Sequence, residues 1–320
     1  MQVHPGIDAL PQGARLAITV GVFDGMHRGH LRLLAATVET ARRLAAEPTV
    51  VTFDPHPDLV LRGAPPPLLC DPGERLALIA RAGVTHIAVE PFTPELRAES
   101  ADRFVERLRA TRTLVALVMT PESAFGHDRQ GTPAYLAGLG AAAGFEVVVV
   151  PQLQVGGEPI SMTRIRLALA AGRLSLAARL LGRTPDVVGT VVRGAGRGRL
   201  LGRPTANLAL DDGVALPPDG VYAVRASWGG ADPLDEVRRV DGVASLGTRP
   251  TFDETDRLLE VHLLDAREDL YGVRLRVEFV RRQRGIRRFA SAAALVAQMD
   301  RDAARARQLL GTRPAGPVEP

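Results

Sequence analysis

The chain has 320 residues, 46% hydrophobic, 24% charged and 4% aromatic, enough for two domains whose cores rest on Ala, Leu and Val rather than on rings. Net charge is +4 and all 40 basic residues are arginine, which excludes a P-loop lysine and a Schiff-base lysine. Cys70 is the one cysteine, so no disulfide forms within the chain and a reducing, cytoplasmic setting is expected; no signal-peptide pattern or membrane-length apolar run is present.

Leu16-Ala17-Ile18-Thr19-Val20 is the first β-prone run. A glycine-bearing turn from Gly21 to Gly29 follows, and the Ala/Leu/Arg-rich pattern predicts a helix over 30–45. A helix start leaves free N–H groups and the positive end of the macrodipole in the turn, so an anion belongs there. His27 and His30 lie three apart at this mouth, where both rings can face one ligand, while Gly25 and Gly29 permit close backbone approach. Imidazole donors beside a phosphoryl group under attack stabilise the charge on its oxygens, which suits nucleotidyl transfer. Two polar residues in a surface turn, or a metal pair lacking a nearby third ligand, are the alternatives.

The run 48–53 is a second strand, stopped by the prolines of Asp54-Pro55-His56-Pro57. Helices over 73–81, 101–109 and 132–143 then alternate with strands over 85–89, 114–119 and 146–150. Roughly five strands separated by helices predict a parallel sheet covered on both faces, with ligands beyond the carboxyl ends of its strands. Ser161-Met162-Thr163-Arg164-Ile165-Arg166 leads into a helix over 164–171. Alone it is a capping hydroxyl with a surface arginine; at the end of a sheet it suits phosphate binding.

After a second helical piece to 181 and a linker over 182–186, the pattern changes. Short apolar runs at 187–193, 221–228, 238–246, 258–264 and 275–280, with turns between them, predict an antiparallel barrel or sandwich. A closing amphipathic helix is expected over 292–310, with Leu295, Met299 and Leu309 inward, and the tail 311–320 is expected to be disordered. The arginine run 281–288 lacks interleaved aromatics, so no nucleic-acid partner is expected. From Gly194 through Gly198 to Thr205 and Asn207, glycines and arginines can wrap polyphosphate, and the hydroxyl and amide oxygens suit Mg²⁺. A flexible surface loop is the plain alternative, as a solvent-facing strand position is for Glu260.

Gly21-Val22-Phe23-Asp24-Gly25-Met26-His27-Arg28-Gly29-His30 resembles the GxFDGxHxGH signature of bifunctional riboflavin kinase/FAD synthetases, and Pro204-Thr205-Ala206-Asn207 resembles the PTAN signature of their kinase half. Phe125 to Gly131, Ile160 to Arg166, Gly247 to Phe252, Glu260 to Asp265, Leu270-Tyr271-Gly272 and the spacing from Arg284 to Phe289 extend the resemblance over nearly the whole chain. It implies an α/β nucleotidyltransferase-type, Rossmann-like parallel-sheet domain at 1–183. An antiparallel β-barrel riboflavin kinase domain with a terminal helix is implied at 184–320. ATP would phosphorylate riboflavin to FMN in the second and adenylylate FMN to FAD in the first, with Mg²⁺ and without nucleic acid or membrane.

His27, His30 and Glu260 are the implied catalytic groups. Gly21, Phe23, Asp24, Gly25, Gly29, Ser161, Thr163, Arg166, Gly194, Gly198 and Thr205 would bind nucleotide, Phe125, Arg129 and Arg284 flavin, and Thr205 and Asn207 metal. Three stretches depart from the family pattern. Thr120-Pro121-Glu122-Ser123 stands in place of Gly-x-Asp-Phe, Met162 replaces a serine, and Ile286 occupies a common glutamate position. The first two motivate a rival reading, a riboflavin kinase whose adenylyltransferase half has decayed; an arginine-rich RNA-binding module is a second rival.

Overall fold

The computed structural model describes residues 1–194, 198, 202–211, 213–229, 238–248, 257–264, 266 and 268–311. The readings for 195–197, 199–201, 249–252, 265 and 312–320 fall outside these residues. Two compact units divide the chain: Met1–Leu68 with Pro72–Met162, and Leu69–Asp71 with Thr163–Pro320.

In the first unit the elements are β1 (Gln2–His4), β2 (Arg15–Val20), α1 (Arg28–Arg43), β3 (Glu47–Asp54), α2 (Pro57–Arg62), α3 (Pro72–Arg81), β4 (His86–Pro91), α4 (Pro94–Ala98), α5 (Ala101–Arg109), β5 (Thr113–Met119), α6 (Pro133–Ala143) and β6 (Glu146–Val149). A small hairpin of β7 (Gln154–Val155) and β8 (Glu158–Pro159) follows. The sheet order is β1-β4-β3-β2-β5-β6, and every neighbouring pair is parallel. Its six strands exceed the roughly five expected, because Gln2-Val3-His4 is too short to show a period and is recruited by pairing with β4. A relay of side chains holds that edge: His4 Nε2 lies 3.0 Å from His86 Nδ1, and His86 Nε2 lies 2.6 Å from Glu47 Oε2.

Strands covered on both faces need apolar residues at successive positions, and β5 is buried from Leu114 to Met119. Val50, Ile87 and Val118 face α1 and α3 with Leu33, Leu34 and Ile79. Their neighbours Val51, Ala88 and Leu117 face α5 and α6 with Phe104, Leu108 and Leu136.

The chain continues through α7 (Met162–Ala170) and α8 (Leu174–Leu181) into β9 (Asp186–Val192), β10 (Ala206–Leu210), β11 (Gly220–Trp228), β12 (Arg238–Thr248), β13 (Arg257–Leu263), β14 (Arg274–Arg284) and α9 (Ala292–Gly311). The six strands close into an antiparallel barrel in the order β10-β13-β12-β11-β14-β9, sealed by the β9–β10 pair. Ala244, Leu246, Leu259, Val261, Val277 and Phe279 fill its interior by strict alternation. On the outer face Ala223 and Val243 pack against Ala303, Ala306 and Leu310 of α9.

The inward face of α9 corrects part of the expectation from periodicity. Gln298, Asp302, Ala303, Ala306 and Leu310 are buried and Leu309 packs beside them as expected, whereas Leu295 and Met299 are only half-buried. Polar partners cause the rotation: Arg284 forks onto Asp302, with Nε 3.1 Å from Oδ1 and Nη2 2.7 Å from Oδ2, and Gln298 Nε2 donates to Asp302 Oδ1 at 2.7 Å. A carboxylate so partnered can be buried where an unpaired one cannot.

Inside the barrel Tyr222 is fully buried, its ring edge-on to Phe279 at 5.2 Å and its hydroxyl donating to the Pro218 carbonyl. Tyr222→Phe is expected to lower the stability of the second unit by about 1 kcal/mol, since it leaves a half-buried carbonyl without its donor. Urea unfolding followed through the fluorescence of Trp228 checks this.

Candidate active sites

β2 ends at Val20 on the central strand, and the next residues must turn back over the sheet before α1 begins. They do so through left-handed backbone at Phe23 (φ 56°), Gly25 (φ 73°) and Met26 (φ 40°). Such conformations in Phe and Met cost on the order of 1–3 kcal/mol each and persist only where the surroundings hold them. Here Phe23 and Met26 are buried in the core with Leu34 and Ile79.

His27 is the N-cap of α1, and its Nδ1 accepts the N–H of His30 at 3.2 Å. A neutral His27 therefore carries its proton on Nε2. The two rings stack with centroids 3.6 Å apart, and Phe23 meets His30 edge-on at 5.2 Å. Gly29 makes the stack possible, because a Cβ there would lie 3.1 Å from the His27 ring. Burial first, and the charge of His27 second, hold the pKa of His30 well below 6.5, and its Nδ1 is buried without a partner.

Both imidazoles line a cavity of about 890 Å³ beyond the carboxyl ends of the strands. Of the expected residues, Gly21, Phe23, His27, Gly29, His30, Phe125, Arg129 and Ser161 line it together. Asp24, Gly25, Thr163 and Arg166 do not: Asp24 is buried beneath the turn, and Thr163 and Arg166 sit in α7. Phe125 packs on Phe104 at 4.9 Å, and Arg129 donates to the Glu122 carbonyl at 2.8 Å. The departing stretch Thr120–Ser123 is a closed turn, in which the Ser123 hydroxyl accepts the Thr120 N–H at 3.1 Å.

In the barrel, register assembles the second site. Asn207 of β10 lies directly opposite Glu260 of β13, and Glu260 lies opposite Ser245 of β12. Directly paired residues share a face, with Cβ atoms roughly 5 Å apart. The buried interior belongs to Leu259 and Val261, so this row is on the outer face. Asn207 is nonetheless only 7% exposed, because the backbone at Gly194 covers it; a Cβ at Gly194 would overlap the Asn207 amide. Gly198 likewise abuts Thr205, where a Cβ would lie 3.1 Å from the hydroxyl, and the Arg203 N–H donates to the Gly198 carbonyl at 2.8 Å. Arg284, expected at the flavin, is engaged by Asp302 with Phe289 under its guanidinium at 5.8 Å.

Two supports went unnoticed at the level of sequence. His262 Nδ1 lies 2.8 Å from the Pro204 carbonyl and pins the segment before Thr205 onto β13, and Arg203 reaches Asp300 at 2.6 Å. The spacing of His262 two residues beyond Glu260, hence on one strand face, was the available signal for the first. Nothing local signalled the second.

Two outcomes follow from this geometry. His30 is held neutral by the fold, so the folded chain binds fewer protons than the unfolded one below pH 6.5. Its contribution to stability is complete above that value and is lost as pH falls through the lower folded-state pKa; His30→Gln should flatten the pH dependence of unfolding of the first unit. Gly194→Ala should displace the Asn207 amide and lower the stability of the second unit by about 1–3 kcal/mol, with the first unit unchanged, as urea unfolding of the two units would read.

Comparison with known proteins agrees with this division. A riboflavin kinase family model matches residues 181–310 and an FAD synthetase family model matches residues 11–164. A bifunctional riboflavin kinase/FMN adenylyltransferase of Escherichia coli K12 is 37% identical over 320 residues, spanning 98% of this chain and 100% of its own. The protein of that description from Bacillus subtilis is 31% identical over 93% of this chain and 94% of its own. A crystal structure described as a macrolide-efflux protein from Streptococcus pneumoniae superposes with a TM-score of 0.84 at 29% identity, over 96% of this chain and 98% of its own. With both models matched in series and relatives aligned almost end to end, the chain belongs to the bifunctional riboflavin kinase/FMN adenylyltransferases, which use ATP to convert riboflavin to FMN and FMN to FAD.

Proposed function

We propose that His27 and His30 carry the adenylyl transfer. An FMN phosphate oxygen attacks the α-phosphorus of ATP, the bond from that phosphorus to the bridging oxygen breaks, and pyrophosphate leaves. His27, with its proton on Nε2, donates to the phosphoryl oxygens as charge builds there, and His30, neutral and stacked on it, keeps the ring in place. Gly21, Phe23 and Gly29 shape the nucleotide side, with Asp24 and Gly25 supporting the turn from within, Ser161 borders the phosphates, and Phe125 and Arg129 take the flavin. The stacked pair at the mouth of a cavity large enough for two substrates is the observation that carries this reading.

In the barrel, Glu260 accepts the proton of the ribityl primary hydroxyl as that oxygen attacks the γ-phosphorus and ADP leaves. Gly194, Gly198 and Thr205 bind the nucleotide, and Arg284, oriented by Asp302, borders the flavin. Thr205 and Asn207 offer a hydroxyl and an amide oxygen, a hard donor set that would hold a Mg²⁺. When bound, that ion neutralises charge on the phosphates. We place the boundary between the halves after Arg183, just inside the riboflavin kinase match that begins at 181, whereas the compact units part at Met162. A cytoplasmic setting is supported by the single cysteine; among the described residues no helix is long and apolar enough to cross a membrane.

The flavin products formed over time from riboflavin and Mg-ATP test the assignment. His30→Ala should reduce FAD formation by about 10²–10³-fold and spare FMN. Glu260→Ala or Asn207→Ala should abolish FMN formation while FAD is still made from supplied FMN. Loss of both activities in any one folded variant would refute the separation of sites.

A further inference from the structure

The histidine turn has a support that lies outside the motif. β2 and β3 are neighbouring parallel strands, paired as far as Val20 and Val51. Beyond that point they part: β2 runs into the turn before His27, and β3 runs on through Phe53 towards His56. Val22 and Phe53 both line the cavity, one on each side of the parting.

Arg75 of α3 fills the gap behind them. It is 7% exposed, its Nη1 donates to the Val22 carbonyl at 3.3 Å and its Nη2 donates to the Phe53 carbonyl at 3.3 Å. The Val22 carbonyl also accepts from the Thr52 hydroxyl at 3.1 Å. Val22 is the residue before Phe23, where the backbone enters its left-handed stretch, so whatever holds this carbonyl sets the direction from which the turn starts. Leu76 and Ile79 of the same helix pack on Phe23 and Met26.

The third nitrogen of Arg75, Nε, is buried with no partner. A buried cation with an unmet donor is a poor device for stability alone, and an apolar side chain of similar length would avoid the desolvation. What no apolar side chain supplies is a rigid planar fork whose two arms reach carbonyls on two different strands at once. An ammonium, with one nitrogen, cannot span them with the same geometry.

We propose that Arg75 is a positioning residue for FMN adenylylation, clamping the histidine turn to the β3 side of the cavity at a fixed separation. The proposal rests on the reading that His27 and His30 are the reacting turn. A clamp of this kind acts on the geometry of attack more than on binding, so its loss falls on kcat.

The test uses the full chain, with riboflavin phosphorylation in the same sample as reference. Arg75→Met should lower kcat for FMN adenylylation by about 10- to 100-fold, with KM for ATP and for FMN changed by less than about three-fold, and leave phosphorylation unaltered. Arg75→Lys should recover part of the loss, and millimolar guanidinium should partly restore Arg75→Ala. Retention of wild-type adenylylation in Arg75→Met overturns the proposal. So does a loss shared between kcat and KM that tracks unfolding of the first unit and that neither lysine nor guanidinium repairs, because general stability then explains it. Failure of the underlying reading is distinct: it would show as FAD formation surviving in His30→Ala.

Discussion

The Nδ1 of His27 is committed to the N–H that begins α1, and the same ring lies flat on His30. One nitrogen thus closes a helix end while the other keeps its proton, so tautomer, ring plane and helix start are a single constraint. The left-handed turn before it, the glycine after it and the burial of Phe23 and Met26 all serve that placement. Burial then makes His30 hard to protonate. Two charged imidazoles stacked this closely would repel each other, so the stack disfavours protonation of both rings at once.

The barrel solves the corresponding problem by register. Asn207 and Glu260 are brought together by strand pairing, and closure of the barrel removes the free edge along which such pairing slips. Their row lies on the outer face of the barrel, where the backbone at Gly194 lies over the Asn207 amide and buries it. In both units a glycine stands where a side chain would occupy the space of a functional group. The reason is steric at Gly29 and Gly194, and conformational at Gly25.

Much of this was legible in the chain itself. The strand, turn and helix around His27, the alternation of helices and strands to Val149, and the change to closely spaced strands after Asp186 follow from local periodicity, whereas the barrel strand Ala206–Leu210, only five residues long, was not among the expected runs and is fixed by its pairing with β9 and β13. What was not legible is long-range. The edge strand Gln2–His4 has no period of its own and exists through β4. The facing of Asn207 by Glu260 and the grip of Arg75 on two carbonyls depend on residues 22 to 53 positions apart, and strand order on pairs more distant still, as between Gln2 and His86. Arg284 illustrates the limit from the other side: its place in a motif suggested a ligand contact, while Asp302, 18 residues later in a helix, takes its fork.

That pairing also settles a matter of mechanics. α9 seats Ala303, Ala306 and Leu310 against Ala223 and Leu264, with Val243, Val280 and Leu309 packed around them. The Asp302 carboxylate, gripped by Arg284 and by Gln298, works as a detent beside two further anchors, the Arg203–Asp300 pair and the Arg225 donation to the Leu310 carbonyl. A shift of one turn, about 5.4 Å, would carry the charge off its fork and onto hydrocarbon, so the helix has one seat on the barrel rather than several.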